Sequence, residues 1–269
     1  MTHLDARTAV EPTQTDIYLF STTNVASGRH DELQRMVRSV DAAREERPDC
    51  SIRLLVLLQN ARDHAAPDLP GWVEVHTILG LVPLSTARNM LLARVDLPRA
   101  ATTRAVVAFP DDDAWYLPGT LHFMTDLIAR HENVDFVVCR SGTQARSPGP
   151  DTDARPMRLQ QAISHGSSNT IFVHASVAAR LESFDEQLGL GTPAVAGEDT
   201  DYAIRAWHEA RRSLFVDAAL VGHRDNDPAL KKRYHQGALQ AIRKHRSRSP
   251  AAKIALARKH LVGLNYKFR

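Results

Sequence analysis

Ile52 to Leu58 is apolar at every position except Arg53. A run this short is a strand, and a strand apolar at consecutive positions needs a sheet covered on both faces. Ile17-Tyr18-Leu19-Phe20 reads as a second buried strand, ending in a polar loop at Ser21-Thr22-Thr23-Asn24. Ala105 to Phe109 is a third, and Trp72 to Ile78, which alternates imperfectly, a fourth. Between them the period changes. From Asp31 to about Glu46, Leu33, Met36, Val37 and Val40 follow i, i+3, i+4, i+7 spacing, and Pro48 stops the helix. Ser85 is placed to cap a second helix running to about Arg94. Strand, helix, strand, strand, helix, strand predicts an α/β domain with a mostly parallel sheet.

The second half is more broken. A helix is expected from about Pro118 to His131, a strand over Asp135–Cys139, and a Gly- and Pro-rich loop over 141–158. Thr170–His174 reads as a strand and Ala175–Leu181 as a helix. A Gly-rich stretch, Leu188 to Gly197, leads into Glu198-Asp199-Thr200-Asp201 and a helix to Arg211. Leu214–Val216 is a strand, and a further short apolar run ends in Val221-Gly222-His223. Residues 1–15 are a polar lead-in.

The 269 residues allow one large domain or two small ones, and 43% hydrophobic residues supply a core. Cys50 and Cys139 make neither a disulfide framework nor a metal cluster and fit a reducing compartment. No apolar stretch approaches the ~18 residues that span a bilayer. The N-terminus lacks a charged-then-apolar signal pattern, so export is not expected and a cytoplasmic location is.

The net charge of +3 hides a split. Residues 231–269 hold 12 Lys and Arg and no acid, so the first 230 hold 22 against 31 acids, a net of −9. From Asp227 onward the chain reads as mostly helical, with a break near Ser247 to Pro250. Ile254, Ala257, Leu261 and Leu264 share one helix face, and Lys253, Arg258, Lys259 and His260 lie mostly elsewhere. One reading is peripheral contact of 250–269 with an anionic membrane surface. The other is a helix that packs on the domain and leaves its basic side in water. Nucleic-acid binding is disfavoured, because the tail has few aromatics for stacking.

Asp111-Asp112-Asp113 follows the Ala105–Phe109 strand and Pro110. In α/β sheets ligands collect beyond the carboxyl ends of strands. Three adjacent carboxylates repel one another, and a hard divalent cation relieves that repulsion. The plainer reading is a solvated acidic turn or a helix cap. A phosphatase class with Asp-x-Asp after a strand wants Thr or Val two residues beyond the second Asp, and Trp115 stands there. Neither a P-loop nor a Gly-x-Ser-x-Gly elbow is present.

Phe109-Pro110-Asp111-Asp112-Asp113-Ala114-Trp115-Tyr116-Leu117-Pro118, with Leu121 beyond, resembles the strand-end Asp-x-Asp segment of family 2 glycosyltransferases. Pro118 and Leu121 match that family's Pro and Leu, seven and ten residues beyond the first Asp. Ser85-Thr86-Ala87-Arg88-Asn89 is similar to its Ala-Arg-Asn segment. Phe184-Asp185-Glu186, Leu188-Gly189 and Gly197-Glu198-Asp199-Thr200-Asp201 with Arg205 resemble its Phe-Asp-Glu and Gly-Glu-Asp-x-Asp blocks. The similarity runs from about Ile17 to His223.

The resemblance implies a GT-A fold over residues 1–230, with a nucleotide-sugar half over about 16–140 and an acceptor half over about 141–230. Residues 231–269 would be a basic helical extension. It implies metal-dependent, inverting transfer of a hexose-type sugar from a nucleotide-diphosphate sugar to a carbohydrate or glycolipid acceptor, in bacterial polysaccharide or glycolipid synthesis. Asp111 and Asp113 would take the Asp-x-Asp role toward Mg²⁺ or Mn²⁺, beside Asp112, with His223 as a third ligand. Asp199 would be the general base and Glu198 would position it or the acceptor. Arg88 and Asn89 would lie at the nucleotide or diphosphate, and Ser21, Thr22 and Thr23 at the nucleoside. The family usually places an Asp after the second strand, where this chain has Gln59 and Asn60, whose amides can also hydrogen-bond a base. A UDP-sugar is the expected donor.

The same residues have plainer uses. Glu198 and Asp199 could simply charge the first turn of a helix, and His223 and Arg88 could be structural or surface residues. Trp115 and Tyr116 could pack on the sheet or line a sugar site. A different class of function is a non-catalytic protein that binds polyanions or membranes through its basic tail.

Overall fold

The computed structural model describes residues 16–62, 64–224 and 231–264. The expected lead-in over 1–15, the start of the tail near Asp227 and residues 265–269 lie outside them. In chain order the elements are β1 (Ile17–Asn24), α1 (His30–Glu46), β2 (Ile52–Gln59), β3 (Glu74–Thr77), α2 (Leu84–Leu92), α3 (Leu97–Thr102) and β4 (Val106–Ala108). There follow β5 (Trp115–Tyr116), α4 (Thr120–Ala129), β6 (Phe136–Gly142), β7 (Ala154–Pro156), α5 (Leu159–His165), β8 (Ile171–His174) and α6 (Ala175–Leu181). The chain continues through α7 (Glu198–Glu209), β9 (Ser213–Gly222), α8 (Lys231–Lys244) and α9 (Pro250–Leu264).

Nine strands form one mixed sheet in the order β3-β2-β1-β4-β8-β6-β9-β5, with β7 on β9. The β3-β2-β1-β4 half is parallel. β8 runs antiparallel to both β4 and β6, β6 and β9 are parallel, and β5 and β7 pair antiparallel with β9.

The continuous apolar strands are explained by cover on both faces. Ile17, Leu19, Leu54, Val56 and Leu58 pack with Leu33, Met36 and Val40 of α1 and Leu121 and Met124 of α4. Their neighbours Tyr18, Phe20, Leu55 and Leu57 point the other way, onto Ala87 and Leu91 of α2, Val177 of α6 and Ala203 of α7. Each fully buried Leu or Val on either face contributes about 1.5–3 kcal/mol.

Several sequence expectations are corrected. Ser21-Thr22-Thr23-Asn24 is not a loop; β1 continues through it because β2 pairs it residue for residue as far as Gln59. α2 begins at Leu84 after Pro83, and Ser85 does not cap it. Its hydroxyl instead donates to the Leu188 carbonyl at 2.6 Å. Leu214–Val216 and Val221 belong to one long strand, β9. α3, α5 and β7 are additional short elements.

The basic extension is present as α8 and α9, and it packs on the domain. Ile242, Ala252 and Ala255 share a small core with Leu159, Ile163 and Ile204 of α5 and α7. Gly237 of α8 meets the turn before α7 backbone to backbone, since a Cβ there would lie 2.4 Å from the Ala196 carbonyl oxygen. His245 Nε2 lies 2.7 Å from Asp201 Oδ1, and Lys244 pairs with Asp185.

Candidate active site

Three strand registers assemble the acidic segment. β1 and β4 are parallel with Leu19 opposite Ala108, so four residues further on Thr23 meets Asp112. The Thr23 hydroxyl donates to Asp112 Oδ2 at 2.6 Å. β4 and β8 are antiparallel with Ala108 opposite Phe172, so Asp111, three residues after, meets Asn169, three residues before. The Asp111 N–H donates to Asn169 Oδ1 at 2.7 Å, and Asn169 Nδ2 donates back to Asp111 Oδ2 at 2.9 Å. Ser168 Oγ adds a bond to Asp111 Oδ1 at 3.1 Å. β5 and β9 are antiparallel with Trp115 opposite Gly222, which delivers His223 to the acidic segment. His223 Nε2 lies 3.2 Å from Asp113 Oδ1 and 3.9 Å from Asp111 Oδ2.

Gly222 is required by that last register. A Cβ on it would lie 1.9 Å from Trp115 Cε2, so the indole rests on bare β9 backbone. The Arg35 guanidinium also lies over the indole, 4.1 Å from the ring centre. Trp115 therefore packs, and Tyr116 beside it is buried.

One ligand atom each from Asp111, Asp113 and His223 lie within 4.8 Å of one another. Two carboxylates and an imidazole form a donor set that suits Mn²⁺ or Mg²⁺, with remaining positions for water and phosphate oxygens. Burial pushes Asp113 up, but the hydrogen bond and charge of His223 and the charges of Arg224 and Arg29 outweigh it and hold Asp113 at about 2. Arg224 Nε is 2.5 Å from Asp113 Oδ2. Burial lowers His223, and Asp113 and Asp111 outweigh that and raise it. Asp112 is raised by burial against its bonds to Thr23 and Arg29; Arg29 Nη1 reaches its Oδ1 at 2.9 Å.

The second acidic pair opens α7, after Gly197 at φ 104°. Arg88, 2% exposed, joins it to the first. Its Nη2 donates to Asp111 Oδ1 at 2.9 Å, its Nη1 donates to Asp199 Oδ1 at 2.8 Å, and Glu198 Oε1 is 3.7 Å away. The guanidinium also lies 5.2 Å from the centre of the Phe184 ring. Burial raises Glu198 to about 8, helped by the charge of Asp199 and opposed by Arg88. Burial also raises Asp199, with Asp111 adding and the closer Arg88 opposing. Arg88 touches Asp199 directly at 2.8 Å and stands 3.7 Å from Glu198, so it opposes the rise of both and is closer to Asp199.

The other residues singled out from sequence are placed as follows. Asn89 clamps the Phe184-Asp185-Glu186 segment, donating to the Phe184 carbonyl at 3.0 Å and accepting from the Phe184 N–H at 2.7 Å. Gln59 is buried, donating to Thr22 Oγ1 at 2.8 Å and accepting from the Val82 N–H at 3.0 Å. Asn60 follows it with φ 61°. Ser21 is buried within β1, away from the acidic cluster's contacts. Ser168, Asn169, Arg29 and Arg224 were not anticipated. The polar run Ser167-Ser168-Asn169-Thr170 before a strand is a signal for the first two only if β8 is known to lie beside β4.

No protein-family model matches the sequence, and no curated protein matches it. Solved structures do share its architecture. S. aureus TarS 1–349 superposes with a TM-score of 0.63 at 13% identity, over 92% of this chain and 72% of that one. The same protein in complex with UDP-GlcNAc gives 0.60 at 13% identity, over 87% and 67%. GalNAc-T7 with UDP, GalNAc and Mn²⁺ gives 0.54 at 12% identity, over 87% and 48%. The fold is thus the GT-A fold of glycosyltransferases.

Proposed function

We propose that this protein is a metal-dependent, inverting glycosyltransferase that takes its sugar from a nucleotide-diphosphate donor. The observation that carries this reading is the convergence of Asp111, Asp113 and His223 on one point, linked through Arg88 to Asp199. Two solved structures with this fold were crystallised with UDP-GlcNAc or with UDP, GalNAc and Mn²⁺, which supports a UDP-sugar donor. A divalent cation held by the three ligands would offset charge on the departing diphosphate.

The chain's own residues supply the rest. Asp199 takes the proton of the acceptor hydroxyl as its oxygen bonds to the anomeric carbon and the carbon–oxygen bond to the diphosphate breaks. Attack opposite the leaving group inverts the configuration. A carboxylate whose proton affinity is raised by burial is a better base than an exposed one. Glu198, protonated, donates a hydrogen bond that positions the acceptor. The nucleoside is assigned to the carboxyl ends of β1 and β2, where Thr22, Thr23, Gln59 and Asn60 lie together with Ser21. The acceptor is a carbohydrate or glycolipid, and the setting is cytoplasmic synthesis of bacterial polysaccharide or glycolipid at the inner membrane face.

The test is thermal stability and sugar transfer with Mn²⁺ or Mg²⁺ across a panel of nucleotide sugars. One donor is expected to raise the melting temperature only with metal, and Asp113→Ala to abolish that response. Absence of any donor response, or an Asp113→Ala protein that responds like the parent, would remove the reading.

A further inference from the structure

α9 has apolar residues on two faces. Ala252 and Ala255 are buried against α5 and α7. The other apolar face points outward: Ile254 is 61%, Leu261 64% and Val262 48% exposed. Ile254 and Leu261 belong to the face that sequence periodicity picks out, and the domain leaves both uncovered, with Val262 beside them. Large aliphatic side chains exposed together mark an interaction surface more often than solvated decoration.

Its surroundings state the chemistry of the partner. Residues 231–264 carry ten Lys and Arg and no Asp or Glu. A cavity of about 400 Å³ opens beside the stripe, lined by Arg246, Lys253 and His260 with Leu256 and Ala257. Arg258 is exposed within the stripe itself. Cations beside aliphatic side chains on one helix face fit a surface with anionic heads above an apolar layer. A second copy of this chain would bring ten like charges against ten. Nucleic acid would be met by aliphatic side chains that do not stack on bases.

We infer that α9 docks on an anionic phospholipid bilayer, with Ile254, Leu261 and Val262 entering the interface and Arg246, Lys253 and Arg258 meeting the lipid phosphates. The inferred contact is a peripheral one; among the described residues no helix is long and apolar enough to cross a membrane. It needs no donor sugar, and its outcome is separate from that of the proposed transfer.

The experiment is co-sedimentation of the full chain with vesicles of phosphatidylcholine alone or mixed with phosphatidylglycerol. Binding is expected to the mixed vesicles and to weaken with salt. Each cation removed, as in Lys253→Ala or Arg246→Ala, should weaken it about fivefold. Ile254→Ser with Leu261→Ser should weaken it on the order of tenfold, with an unchanged melting temperature because both side chains are exposed. Failure of the parent to bind mixed vesicles, or equal binding by the double variant, overturns the inference. So does binding to phosphatidylcholine alone as strong as to the mixture, or to a single-stranded oligonucleotide as tight as to vesicles. A parent dimer that Leu261→Ser converts to monomer overturns it in favour of self-association.

Discussion

Arg88 carries one positive charge among three carboxylates drawn from two sequence motifs. Removing it leaves those carboxylates facing one another with little water. Breaking a buried pair costs roughly 3–5 kcal/mol, and partial exposure of Asp111 and Asp199 places Arg88→Ala near the lower end. Urea unfolding at neutral pH is expected to show that loss. Arg88→Lys should recover only part of it, because one ammonium cannot reach both motifs with a planar fork. Glu198 is strained in the opposite sense. Its folded state binds a proton that the unfolded chain releases, so stability falls as pH rises from about 4.5 toward about 8. Glu198→Gln removes that slope. In thermal melts without metal it should be more stable than the parent at the upper end of this window and show a flatter pH dependence. These roles were only half visible in the sequence. Asp111, Asp113, Glu198 and Asp199 announce themselves by clustering, but a lone Arg88 on a helix carries no mark of what it will touch.

Strand register turns that clustering into a site. Asn169 and His223 lie 58 and 112 positions from Asp111 in the chain, and both reach the acidic segment by antiparallel pairing with strands next to it. Periodicity marks β4, β8 and part of β9 but not their order, and the two-residue β5 carries no periodicity at all, so β8 beside β4 and β9 beside β5 could not be read from the sequence. The polar end of β1 is hidden for a related reason. Ser21 to Asn24 lacks the apolar character of a strand, yet β2 holds it in place, and Thr23 reaches Asp112 from it. Gly222 offers the sharpest test at this scale. A methyl group there would meet Trp115 at 1.9 Å, and relieving such overpacking costs roughly 1–3 kcal/mol. Gly222→Ala is therefore expected to shift β5 against β9 and to weaken the Mn²⁺ response in thermal melts. Adding Trp115→Ala should restore the register and much of the response. A Gly222→Ala protein with full stability and full metal response would contradict this account.

Over the whole molecule, two cores on opposite faces of one sheet account for the apolar runs, and these were legible because strands buried on both faces leave few other arrangements. The short α3, α5 and β7 were not, since three to seven residues carry too little periodicity to register. The basic extension was legible as helix, but the face it packs was not, because α9 offers aliphatic residues on both sides and only the shape of α5 and α7 selects Ala252 and Ala255. That packing makes a prediction for the chain as a unit. Ile242, fully buried in the small core shared by α5, α7, α8 and α9, is expected to cost about 2–5 kcal/mol when replaced by Ala. The loss should appear in a single cooperative unfolding transition, measured by circular dichroism in urea, and not as separate melting of the extension. The contact of Gly237 with the turn before Glu198, and of His245 with Asp201, has a consequence in time as well as in space. A ribosome finishes the acidic and basic motifs before it makes the helices that fix the last of them, so a nascent chain stopped at residue 230 holds every letter of the candidate site without the clasp that closes them into a word.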